Sequence, residues 1–198
     1  MKYAPDKYRR RSIRLKEYDY SQAGAYFVTI CTRDRECLFG DIVDGEMRLN
    51  EYGRIVANRW DAIPDYIENV QRDEFVVMPN HVHGIIILNN VGAQFIAPTG
   101  DNRQTPQQTP QINQGVINHA PTVGEIVRAF KARCTHIINQ IRNTPGCAVW
   151  QRNYYEHVIR NDDDLNRIQQ YIIENPMNWY EDKDNPANII YRRGERPF

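Results

Sequence analysis

Apolar positions recur along this chain with two different periods, and the changes from one to the other outline its elements. Ala25 to Arg33 (AYFVTICTR) is dense in aromatic and β-branched residues and follows a glycine, which predicts a strand. From Cys37 to Leu49, apolar pairs flank Asp44-Gly45, a dipeptide favoured in two-residue hairpin turns, so a hairpin is expected. Helical spacing then takes over at Tyr52, Ile55, Val56, Trp60 and Ile63, with Asn50 as the cap and Pro64 closing the helix. Arg72 to Met78 and His81 to Leu88 read as two strands, and Pro79-Asn80 between them leaves room only for an antiparallel pair. Thr122 caps a helix from Val123 to about Arg142. Its apolar positions Ile126, Val127, Phe130, Ile137, Ile138 and Ile141 leave Arg128, Lys131 and Arg133 near or on the other face. Trp150 to Ile159 reads as a further strand or extended segment. Asn161 and Asp162 to Asp164 begin a last helix, which ends at Asn175 because Pro176 disfavours helical geometry in the residue before it.

The order is strand, helix, strand, strand, helix, strand, helix, with a hairpin after the first strand. The tight pair at 72–88 excludes a wholly parallel sheet, so the expected fold is α+β, a ferredoxin-like sandwich with a mainly antiparallel sheet packed by helices. Residues 89–121 break the pattern, being dominated by Asn, Gln, Thr, Pro and Gly, and read as an extended, flexible insertion. The chain is expected to be one domain, residues 1–198, with a basic N-terminal segment over 1–20 and this insertion.

Composition narrows the class. With 198 residues, 41% hydrophobic and 25% charged, the chain can bury about 70% of its unfolded surface without a disulfide or metal staple, so any metal is expected to serve chemistry. No apolar run approaches the ~18–20 residues of a membrane span, and the first residues lack a signal-peptide core. Cys31, Cys37, Cys134 and Cys147 form no CxxC pair and read as reduced thiols, which points to the cytoplasm. Lys+Arg and Asp+Glu balance at 25 each, an unpromising total for a nucleic-acid binder. The distribution is uneven, however. Residues 1–20 hold seven basic side chains against three acids, and residues 122–160 hold six against two, so two basic patches are open to the fold alongside the plainer reading of two solvated faces.

Two pairs carry candidate chemistry. His81 and His83 stand two apart at the start of a strand, so both imidazoles share a face and can ligate one divalent ion. Tyr171 and Asn175 are one turn apart on the last helix, where a phenol and an amide oxygen can meet the same ion. Taken alone, each feature more often has a structural role, as a buried histidine pair or as an aromatic at a core boundary. Two imidazoles and an amide suit Mn²⁺ at least as well as Mg²⁺, and zinc with a bound hydroxide is the competing reading.

Together, Met78 to Ile86 (MPNHVHGII), Trp150 to Arg160 (WQRNYYEHVIR) and Tyr171 to Asn175 resemble, in that order, the REP-associated tyrosine transposases of the single-tyrosine HUH superfamily. The resemblance covers about residues 20–180, apart from the insertion. It implies a ferredoxin-like fold, His81, His83 and Asn175 as ligands of Mg²⁺ or Mn²⁺, and Tyr171 as the nucleophile toward single-stranded DNA beside a hairpin. The product would be a 5′-phosphotyrosine with a free 3′-OH. It further favours DNA contacts from the N-terminal segment with Arg9, Arg10, Arg11 and Arg14, and from Arg128, Lys131, Arg133 and Arg152; Tyr154 and Tyr155 are candidates to stack on bases, although aromatics entering a core are commoner. The family includes dimers, so a homodimer is among its implications. A hairpin-binding module without catalysis and a hydrolase using activated water are the rival functions.

Overall fold

The computed structural model describes residues 22–89 and 121–188. The segment 1–20, with Arg9, Arg10, Arg11 and Arg14, and all of the insertion but its two end residues lie outside the described residues. Strand β1 (Gly24–Cys31) is followed by the hairpin β2 (Gly40–Val43) and β3 (Glu46–Leu49), then helices α1 (Glu51–Asp61) and α2 (Ile63–Tyr66). Strands β4 (Val70–Met78) and β5 (His81–Leu88), helix α3 (Val123–Ile141), strand β6 (Tyr155–Ile159) and helix α4 (Asp162–Glu174) complete the order.

Four strands form one sheet in the order β4-β5-β1-β6, every neighbouring pair antiparallel. Because β1 and β4 both pair with β5, the α1 crossover joins parallel strands with one strand between them, and α3 does the same from β5 to β6. This is the expected ferredoxin-like arrangement.

Period-two alternation assigns the two faces of the sheet. Tyr26, Val28 and Ile30 on β1, with Val82, Ile86 and Leu88 on β5, enter the main core beneath Val56 and Trp60 of α1 and Ile126, Phe130 and Ile138 of α3. The opposite face carries Phe27 and Ile85, which pack against Ile168 and Ile172 of α4 in a smaller cluster. Burial of each such side chain contributes about 1.5–3 kcal/mol, so the sheet is anchored mainly through α1 and α3. The thinly covered face is free to carry polar groups.

Local signals behave as their chemistry dictates. Asn50 caps α1, accepting from Gly53 N at 3.0 Å, and Thr122 and Glu125 form a reciprocal capping box on α3. Asp44 (φ 54°) and Gly45 (φ 77°) make the left-handed turn of the β2–β3 hairpin. Gly84 is required by space rather than by φ. A Cβ there would lie 2.3 Å from Trp60 Cζ2, and the Trp60 ring is stacked on Phe75 at 4.5 Å.

Several boundaries differ from expectation. β1 stops at Cys31 rather than Arg33, because Asp34 and Arg35 adopt positive φ in a 3-10 turn. Pro64 does not simply close α1; it sits in the first turn of α2, where its fixed φ and missing N–H are tolerated. Trp150 makes an isolated bridge to Thr32, and only Tyr155–Ile159 of the 150–159 segment joins the sheet. Asn175 stays helical (φ −56°, ψ −41°) in spite of Pro176, and a bond from Asn178 N to Glu174 O at 3.2 Å carries the turn past the proline. All four cysteines are free, and among the described residues no helix is long and apolar enough to cross a membrane.

Candidate functional site

The site lies on the thinly covered face, where β5 begins. His81 and His83 both point there, opposite Cys31 and Thr29 of β1, and both are buried. Their Nε2 atoms are 3.0 Å apart. Each Nδ1 is engaged from behind, His81 by Asn80 Oδ1 at 2.8 Å and His83 by Thr29 Oγ1 at 2.9 Å. The Asn80 amide is oriented by its other end, which donates to Asp184 O at 2.7 Å and Arg35 O at 3.1 Å. Its oxygen must therefore face His81 and accept from Nδ1–H, which leaves Nε2 of His81 with an open lone pair.

Electrostatics keep the pair neutral. Burial, reinforced by Arg35 and Lys183, pushes the His81 imidazole down to about 3. Burial and then the neighbouring His81 hold His83 well below its usual value. Two nitrogen donors about 3.0 Å apart fit neighbouring positions around one ion with bonds of about 2.1 Å.

Tyr171 arrives from α4. Its hydroxyl is 3.3 Å from His83 Nε2, and its ring meets the His83 ring at 5.1 Å and Phe27 at 6.1 Å. Phe27 is stacked on His83 at 5.4 Å, so the same aromatic supports both groups. Tyr171 as a whole is still 43% exposed. Its phenol is held above the usual value by burial and then by the Asp182 charge, against a hydrogen bond from Asn175. One turn on, Asn175 is buried, and its Oδ1 has no hydrogen-bond partner. A buried, unpaired carbonyl oxygen is costly unless something electropositive meets it. Two neutral imidazoles and an orphaned amide oxygen are the donor set a divalent cation needs, so the residues fit a metal.

Asp182 was not foreseen from sequence. After Pro176 the chain reverses through a 3-10 turn (Trp179–Glu181) and brings the Asp182 carboxylate to 3.7 Å from His81 Nε2. One ligand atom each from His81, His83 and Asp182 lie within 4.8 Å of one another, a group able to hold a metal ion. No local pattern announces this, because the approach depends on a reversal after the helix.

The remaining candidates separate by position. Tyr155 lies opposite Thr29 on the site face, 41% exposed, its ring 6.2 Å from Phe27 and 6.0 Å from the Lys183 ammonium. Tyr154 instead donates to Glu156 Oε2 at 2.7 Å. Arg128 and Arg133 are exposed on α3, which covers the other face of the sheet, and the Arg133 guanidinium lies 3.9 Å over the Tyr66 ring. Lys131 is committed to the 150–154 loop, donating to the carbonyls of Gln151 (3.0 Å), Asn153 (3.2 Å) and Arg152 (3.5 Å). Arg152 is exposed on that loop. His157 pairs with Asp164 at 2.8 Å, fastening β6 to the first turn of α4.

The fold and a buried histidine pair facing a helical tyrosine are the arrangement the sequence resemblance leads one to expect. No protein-family model matches the chain. An uncharacterized protein of Haemophilus influenzae is 43% identical over 183 residues, covering 92% of this chain and 96% of its own length. A second H. influenzae protein, provisionally named a REP-associated tyrosine transposase, is 24% identical over 159 residues, 80% of this chain and 73% of that protein. A solved REP-associated tyrosine transposase bound to a REP hairpin has the same fold, with a TM-score of 0.51, 21% identity, and coverage of 92% of this chain and 89% of that one. The chain is thus similar in sequence to a protein named for the REP-associated tyrosine transposases and shares the fold of a solved one.

Proposed function

We propose that this protein is a metal-dependent single-strand DNA endonuclease and strand transferase acting beside DNA hairpins, with Tyr171 as its nucleophile. The observation that carries the reading is the Tyr171 hydroxyl 3.3 Å from a buried, neutral histidine pair whose Nε2 atoms converge. A hairpin is favoured as substrate by the solved neighbour, which is bound to one.

His81, His83 and Asn175 would hold the cation, and their nitrogen-rich set suits Mn²⁺ at least as well as Mg²⁺. Such a cation, when bound, polarises a scissile phosphate and offsets charge in the transition state. The chain's own residues do the rest. Phe27 and the α4 backbone fix the direction of the phenol, whose raised proton affinity keeps it uncharged until the phosphate is in place. The phenolic oxygen then attacks phosphorus and loses its proton. The bond from phosphorus to the 3′-oxygen breaks, and that oxygen leaves as a free 3′-OH. The new bond is a 5′-phosphotyrosine, so one phosphodiester replaces another and the 3′-OH of a second strand can reverse the step without external energy. Tyr155, exposed beside Tyr171 on the same face, offers a ring on which a flanking base can stack.

The test uses hairpin oligonucleotides labelled at either end, incubated with Mn²⁺, Mg²⁺ or EDTA. Cleavage is expected only with metal, and Tyr171→Phe is expected to lose both cleavage and the protein-linked product. Cleavage by Tyr171→Phe at the wild-type rate would refute the assignment and favour an activated water.

A further inference from the structure

Asp182 raises an electrostatic problem that the set of His81, His83 and Asn175 leaves open. Its side chain is only 6% exposed, and among the described residues no Lys or Arg nitrogen lies within 4.0 Å of its carboxylate. Lys183 and Arg35 act on it only from a distance, and Arg35 is already paired with Asp184. The two oxygens of the carboxylate are not equivalent. Oδ1 accepts from Asp184 N at 2.6 Å, while Oδ2 faces His81 Nε2 at 3.7 Å. That nitrogen carries no proton, because Asn80 holds the hydrogen of His81 on Nδ1. A lone pair thus confronts a buried carboxylate, at a separation too long for a hydrogen bond. Both atoms are acceptors, and a single backbone N–H on Oδ1 does not offset the charge of a buried carboxylate. A cation between them satisfies both, His81, His83 and Asp182 each place a ligand atom within 4.8 Å of one another, and the buried Asn175 carries an oxygen without a partner.

We propose that Asp182 is the anionic ligand of this metal centre, completing a donor set of two imidazoles, one amide and one carboxylate; this rests on the metal site of the function proposed above. The carboxylate comes from beyond the tyrosine helix and is held on a strap. Asn80 Nδ2 ties the carbonyl of Asp184 to the start of β5, the Arg35–Asp184 ion pair ties the same residue to the turn after β1, and Asn188 Nδ2 donates to Asp182 O at 2.8 Å. The residue that fixes the hydrogen on His81 therefore also positions the segment carrying the fourth ligand. A site of three neutral donors would leave the full charge of a divalent ion in a buried pocket. A carboxylate removes one unit of it and adds the hard oxygen that Mn²⁺ and Mg²⁺ favour over softer ions.

The test measures metal binding without DNA. Mn²⁺ is titrated into the wild-type protein, Asp182→Asn, Asp182→Ala and His83→Ala by calorimetry, and each protein saturated with Co²⁺ is examined by visible absorption. Asp182→Asn keeps an oxygen for the Asp184 N–H, so the turn is retained, and Asp182→Ala repeats the test without either oxygen. The expected result is Mn²⁺ binding at least about tenfold weaker in both Asp182 variants, with an altered Co²⁺ spectrum at saturation. Unchanged affinity, or weaker affinity with an unchanged spectrum, would overturn direct ligation by Asp182 while leaving the histidine site standing. Undiminished Mn²⁺ binding in His83→Ala would overturn the metal site itself, and the proposal with it.

Discussion

Asn80 provides the most demanding test of how the site is built. It is fully buried, and its side chain makes three hydrogen bonds, accepting from His81 Nδ1 at 2.8 Å and donating to Asp184 O at 2.7 Å and Arg35 O at 3.1 Å. Asn80→Ala leaves the imidazole N–H and the Asp184 carbonyl unpaired in the interior, at about 1–3 kcal/mol each, and loses the less buried bond to Arg35 as well. The expected loss is about 3–5 kcal/mol of the roughly 5–15 kcal/mol that a domain possesses. His81, released from Nδ1, can place its hydrogen on Nε2, so Mn²⁺ affinity should fall by about 10- to 100-fold. Asn80→Asp separates the two effects. It keeps an acceptor for His81 Nδ1 but turns an oxygen toward two carbonyls, so metal affinity should hold within about threefold while stability falls at least as far as in the alanine variant. Urea unfolding followed by circular dichroism gives one quantity and calorimetric titration with Mn²⁺ the other. An Asn80→Ala protein within about 1 kcal/mol of wild type and unchanged in Mn²⁺ affinity would refute the reasoning.

Two further outcomes follow from packing and from proton linkage. Gly84→Ala places a methyl group 2.3 Å from Trp60 Cζ2 and 2.9 Å from Phe75 Cδ2, and should destabilise by about 1–3 kcal/mol in chemical denaturation, with near-ultraviolet dichroism reporting the displaced indole; an unchanged midpoint would contradict the packing. The pH dependence has a definite sign. His81 binds its proton near 3 in the folded state and near 6.5 when unfolded, so between those values the unfolded chain holds more protons. Stability of the metal-free protein should be complete above about pH 6.5 and decline as the pH falls toward 3, and Mn²⁺ affinity should stay nearly flat from pH 8 to 6. An affinity dropping tenfold per unit through pH 6.5 would show an ordinary imidazole.

The sequence made some of this legible for physical reasons. Period two in a strand is a strong constraint, so His81 and His83 were certain to share a face once Gly84 to Leu88 read as a strand, and an i, i+4 spacing placed Tyr171 and Asn175 together on α4. The antiparallel pair across Pro79-Asn80 likewise determined the class of sheet. What escaped depends on contacts distant in sequence. Asn80 reads as an ordinary turn residue, yet its amide reaches Asp184, 104 positions away. Asp182 reaches His81 only because the chain folds back after Pro176, and a lone Asp in a polar stretch gives no signal of that. Lys131 was grouped with the basic face of α3 on helical spacing, but the spacing could not show three carbonyls of the 150–154 loop closing over its ammonium.

The central claim is that Tyr171 becomes covalently joined to DNA, and intact-protein mass spectrometry tests it most directly. The wild-type protein, incubated with Mn²⁺ and a hairpin oligonucleotide that it cuts, should gain the mass of the fragment bearing the 5′-phosphate, and peptide mapping should place that mass on Tyr171. A hairpin cut to completion under the same conditions, with no fragment ever attached to the protein, would contradict the account.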